Sequence, residues 1–126
     1  MNIEDISGTH IVNNIAELEA VLNRRHLGDV NAFWLATESG GFPTLMVLVK
    51  ECLAVLHYLP TADEPGLRSL GENQDGEIMH FSISPSSADD VQEPSDAIVT
   101  LDAAWQAAKE FFDSRTLPQS IRWKEL

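Results

Sequence analysis

His10, His26, His57 and His80, the single Cys52 and 20 acidic side chains are the groups in this 126-residue sequence best suited to ligate a metal or move a proton. Zinc sites draw their ligands in pairs at short spacing, because one turn of backbone then aims both side chains at the ion. The four histidines are scattered, with no H-x-x-x-H and no C-x-x-C. Asp63-Glu64 and Asp89-Asp90 are adjacent carboxylates of the kind that can share a proton or a cation. They lack the alternating oxygen ligands of a calcium loop and have no companion histidine, so they read as solvated loop acids. Ser39-Gly40-Gly41 and the serines at 82, 84, 86 and 87 sit in no G-x-S-x-G turn, and no loop ends in Gly-Lys-Ser/Thr. His57 and Tyr58 close an apolar run and read as half-buried sheet residues rather than an acid–base pair. Cys52, among apolar neighbours, reads as a small buried hydrophobe. The expectation is a protein that is not an enzyme and uses no metal and no cofactor.

Charge is the stronger signal. The formal net charge is −12 and the isoelectric point is near 4.5. Nucleic-acid affinity comes chiefly from Lys and Arg neutralising phosphates, so neither nucleic acid nor an anionic membrane surface is expected as a partner. Residues 63–96 hold nine acids against one base, Arg68. Asp63, Glu64, Glu72, Asp75, Glu77, Asp89, Asp90 and Glu93 there are candidate contacts for a basic partner, since such a field steers encounter. Solubility alone is the competing explanation of an acidic surface. Trp34, Trp105 and Trp123 carry the indole area that interfaces exploit, although for each alone core packing is the better reading. Trp105, one residue beyond Ala104 on a helical face, joins the candidate contact set as the partly exposed one.

These residues need a scaffold, and hydrophobic spacing predicts one. Asn14 and Glu17 have the spacing of a capping box, and Ile15, Leu18 and Leu22 recur at helical period, so a helix is expected over about 14–25, with Arg24, Arg25 and His26 at its negative end. Thr9–Val12 is a short strand. Ala32–Thr37, Thr44–Val49 and Leu53–Leu59 form an antiparallel meander, with a hairpin loop at Glu38–Pro43. Residues 60–96 are loop-rich around one strand, Ile78–Ile83. Thr100 caps a second helix over about 101–114, whose apolar face is Ala104, Ala107, Ala108, Phe111 and Phe112. Pro118 enforces the exit and Ile121-Arg122-Trp123 adds a last strand. The expected fold class is α+β: one domain over 1–126, with an antiparallel sheet of about five or six strands and two main helices packed against it. The start of the chain carries no secretory signal and no apolar run spans a membrane, so the cytoplasm is the expected compartment.

Asn31-Ala32-Phe33-Trp34-Leu35 leading into Glu38-Ser39-Gly40-Gly41-Phe42-Pro43, the strands Leu45–Val49 and Leu53–Tyr58, and the closing pattern Ala104, Ala107-Ala108, Phe111-Phe112, Pro118, Ile121, Trp123, Glu125-Leu126 belong together. In this combination the chain resembles the immunity proteins of bacterial polymorphic toxin systems, in particular the family whose members neutralise deaminase toxins, including cytosine deaminases acting on DNA. The matching positions look structural, so the resemblance assigns no contact residue, and residues 60–96 fall outside it. It implies a partner that is a cognate toxin domain with a basic, nucleic-acid-modifying site, which an acidic protein could occlude. An acidic secretion chaperone or adaptor, binding an exported partner without inhibiting it, is the alternative. The sequence leaves the oligomeric state open.

Overall fold

The computed structural model describes residues 1–26, 28–37, 41–72, 76–83 and 90–126. At its centre stand three seven-residue strands, β3 (Val30–Ala36), β4 (Thr44–Lys50) and β5 (Leu53–Leu59), whose composition is almost continuously apolar. Such a run suits a strand covered on both faces. Phe33, Leu35, Leu45, Val47, Val49, Ala54 and Leu56 face one core; Ala32, Leu48 and Val55 alternate with them and face a second. The meander pairs Phe33 with Val47 and Val47 with Leu56, in register from end to end.

The first core is closed by the two helices. In α1 (Ile15–Leu22), Asn14 caps the helix by accepting from the Glu17 N–H at 2.9 Å, and Glu17 returns a carboxylate to the Asn13 N–H at 3.1 Å. The helix is shorter than its periodicity suggests, stopping at Leu22. Arg25 lies beyond it and turns its guanidinium back onto the Leu22 carbonyl at 2.8 Å, so the positive charge meets the helix's negative end from outside. In α2 (Leu101–Ser114), Thr100 is the cap, accepting from the Ala103 N–H at 3.2 Å, and Ala104, Ala107, Ala108 and Phe111 are fully buried. Small residues at one end let the helix lie close to the sheet.

The second core is closed by a hairpin. Strands β7 (Ile78–Ser82) and β8 (Asp90–Pro94) form their own antiparallel pair, and Phe81 inserts, fully buried, against the far face of the meander. The order of layers is therefore helices, main sheet, hairpin.

The main sheet is wider than the five or six strands expected. Among the described residues its eight strands run β10 (Arg122–Glu125), β6 (Leu67–Leu70), β5, β4, β3, β1 (Asn2–Asp5), β2 (Gly8–Ile11), with β9 (Val99–Thr100) beside β5. The additional strands are short and largely polar, and acquire strand geometry from pairing rather than from their own periodicity. Cys52 also departs from expectation. It lies in the tight turn between β4 and β5, beside Glu51 at φ 56, and its side chain is exposed. Reversal of the chain there carries it out of the apolar runs that flank it.

Candidate interaction surface

β5 changes partners along one edge. His57 and Tyr58 pair with Arg68 and Leu67 of β6, whereas Leu53 and Ala54 pair with Thr100 and Val99 of β9. At the switch the buried Ser69 hydroxyl accepts from the Leu56 N–H at 3.0 Å and donates to the Ala97 carbonyl at 2.6 Å, replacing the missing ladder bonds. Next to this split lies a cleft of about 580 Å³, where the end of β6, the start of α2 and the start of β10 meet. Leu53, Leu70, Ile98, Val99, Ala103 and Ile121 give it an apolar lining; Glu72, Thr100, Ser120 and Arg122 give it polar groups.

Every one of those six apolar residues is only half-buried, in contrast to the fully buried Val55, Leu56, Ala104 and Ala107 beside them in sequence. The walls are fixed from several directions. The Gly71 N–H donates to the Asp96 carbonyl at 2.6 Å, the Leu101 N–H to the Cys52 carbonyl at 3.0 Å, and the Arg122 guanidinium to the Gly71 carbonyl at 3.3 Å. A Cβ at Gly71 would collide with the Ile98 carbonyl, so the approach of these two segments needs glycine.

The candidate contacts divide between separate places. Glu72 is exposed and lines the cleft. Asp63 and Glu64 are exposed in the connection from β5 to β6, at the other end of β6. Glu77 and Asp90 are exposed on the hairpin, where Asp90 Oδ1 accepts from the Ser82 hydroxyl at 3.3 Å. Asp75 and Asp89 lie outside the described residues, as do Glu38, Ser39 and Gly40 of the expected hairpin loop.

Glu93 differs from the loop carboxylate expected. It lies in β8, only 4% exposed, with its two oxygens 3.0 and 3.1 Å from His57 Nε2. The main sheet thus holds the hairpin through a carboxylate–imidazole contact as well as through Phe81. Trp105 is half-buried, its ring edge-on to Phe33 at 6.3 Å and the Arg25 guanidinium 5.5 Å above it. Both contacts bind it to the fold, leaving one part of the indole open.

A second polar cluster ties the far end of the sheet. Asp5, 4% exposed, accepts through Oδ1 from the Ser7 N–H at 2.9 Å, the Ser7 hydroxyl at 2.7 Å and the Gly8 N–H at 3.1 Å, with His10 Nε2 at 3.2 Å. Its Oδ2 accepts from the fully buried Asn31 at 3.2 Å. Burial alone pushes this carboxyl up, but the bonds from Ser7, Asn31 and His10 together outweigh it and hold it below the usual 3.8. This arrangement is structural: its polar atoms face one another and the β1–β2 turn. Among the described residues no three His, Cys, Asp or Glu side chains converge on a metal position. No described helix is long and apolar enough to cross a membrane.

The cleft escaped sequence reasoning because it is bounded by β6 and β9, which have no periodic signal. Thr100 and Ile121 on its wall were legible only as a helix cap and part of a strand.

The described surface thus combines exposed carboxylates with a half-covered apolar cleft. Residues 7–125 match the family described as Immunity protein Imm1. The chain is also 29% identical over 126 residues, spanning 100% of both chains, to a double-stranded DNA deaminase immunity protein of Burkholderia cenocepacia (strain H111).

Proposed function

The chain belongs to the Imm1 family of immunity proteins, and from that premise we propose that it binds and inhibits a cognate bacterial toxin that deaminates DNA. The observation that carries this reading is similarity along the whole chain to the deaminase immunity protein, in a molecule of net charge −12. A toxin acting on DNA needs a basic groove to hold phosphates and a pocket to admit the target base. An acidic protein competes for that groove. It acts by occupancy and without turnover, in the cytoplasm where the toxin would meet the producer's own DNA.

In this mechanism the exposed carboxylates Glu72, Glu77 and Asp90, with Asp63 and Glu64, steer the encounter, and apolar side chains provide the dry centre that slows dissociation. In the sequence, Asp75 and Asp89 belong to the same concentration of acids over residues 63–96. Glu93 is already engaged with His57 and does not serve as a free carboxylate. Family membership favours inhibition over the adaptor reading.

The test is protection. Cells expressing a cognate deaminase toxin domain should grow when the chain is co-expressed, and the two proteins should co-purify. Death of the co-expressing cells, with both proteins present, would refute the proposal.

A further inference from the structure

We propose that the cleft beside the β5 partner switch is the anchor point of the toxin interface, receiving an apolar side chain carried on a basic segment of the toxin. The inference rests on the immunity reading above and adds a location and a chemistry to it.

Hot spots of protein interfaces are apolar or aromatic anchors seated in preformed pockets, ringed by groups that exclude water. The cleft has that construction. Its apolar lining is incompletely covered, Leu53 being half-buried beside the fully buried Ala54, Val55 and Leu56, and its about 580 Å³ is ample for a large side chain. Its walls are pinned by the Gly71, Leu101 and Arg122 hydrogen bonds, so little ordering is left to be done on association.

Charge selects the occupant. Glu72 lines the cleft, and exposed Asp102 in the first turn of α2 adjoins Ala103. Arg122 is the basic residue of the lining, and its guanidinium is directed to the Gly71 carbonyl. A Lys or Arg beside the inserted apolar group would meet exposed Glu72 within the field of a chain of net charge −12, which repels an acidic segment.

The test uses the full chain and a catalytically inactive form of the cognate deaminase toxin domain, with binding followed by calorimetry. Ala103→Trp fills the cleft, and Glu72→Lys reverses its exposed rim charge without touching the core. Ile11→Asp, on the opposite edge strand, is the control. The expected result is a Kd weakened by roughly 30-fold or more in Ala103→Trp, the scale of a lost hot spot, and by about 10-fold in Glu72→Lys. The control should bind as the wild type does, and all three variants should keep the wild-type circular dichroism spectrum. If Ala103→Trp fails to fold, Glu72→Lys decides alone. Wild-type affinity in Glu72→Lys, or in a folded Ala103→Trp, overturns the cleft while leaving the immunity reading intact. Absence of binding by the wild-type chain overturns both.

Discussion

The two carboxylate oxygens of Glu93 stand 3.0 and 3.1 Å from Nε2 of His57, joining a hairpin strand to the central sheet across 36 positions of sequence. Both side chains are largely withdrawn from water, at 5% and 13% exposure. Removing either one strands the other.

Glu93→Ala should cost about 1–3 kcal/mol, the price of leaving a buried polar partner unsatisfied. Because the contact holds the hairpin, amide exchange should accelerate first in Ile78–Ser82 and Asp90–Pro94. Urea denaturation and exchange mapping check this; unchanged protection in the hairpin would show that Phe81 alone retains it.

Phe81 is the hairpin's apolar anchor, fully buried against Ala32, Leu48 and Val55. Phe81→Ala should destabilise the protein by about 3–5 kcal/mol, combining lost transfer energy with a cavity. Ile11→Ser, at a side chain 72% exposed on the edge strand β2, should stay within about 0.5 kcal/mol of wild type. Equal effects of the two would contradict the second core.

Asp5 sets an acid limit on stability. Its carboxyl is held below the ordinary 3.8 in the folded state. The folded chain therefore binds the proton less readily than the unfolded chain. This contribution is fully present above the unfolded pKa and is lost as pH falls through the folded value. Asp5→Asn should be less stable than wild type near neutrality, and the gap should narrow below about pH 4. Urea midpoints measured between neutral and strongly acidic pH test this; two parallel curves would remove Asp5 as the source.

Neutralising exposed acids should act on rate rather than on fold. The triple variant Asp63→Asn, Glu64→Gln, Glu72→Gln should associate with the toxin domain more slowly, and with a flatter dependence on ionic strength. Stopped-flow association at several salt concentrations measures it. An unaltered rate would take these carboxylates out of the encounter. Glu93 is kept intact in this variant because its loss would disturb the hairpin.

Legibility followed the physics of each element. β4 and β5 were readable to within a residue because two buried faces leave a nearly unbroken apolar run, and α2 because Thr100 and a small-residue face announce it. β8, Asp90–Pro94, could not be read, since two acids, a glutamine and a proline favour a loop. Its geometry depends on pairing with β7 and on Glu93 reaching His57. Cys52 misled for a related reason: flanking hydrophobicity reports burial only while the chain stays straight. The acids of residues 60–96 were visible as a charge concentration, but only tertiary structure distinguishes exposed Glu72 from buried Glu93.

Inhibition by occupancy is tested most directly by titrating deamination of double-stranded DNA by the cognate toxin domain with increasing amounts of the purified protein. Activity should fall in proportion to added protein and be abolished near one equivalent, as a stable complex forms. Full deamination at saturating protein, with the complex intact, would contradict it.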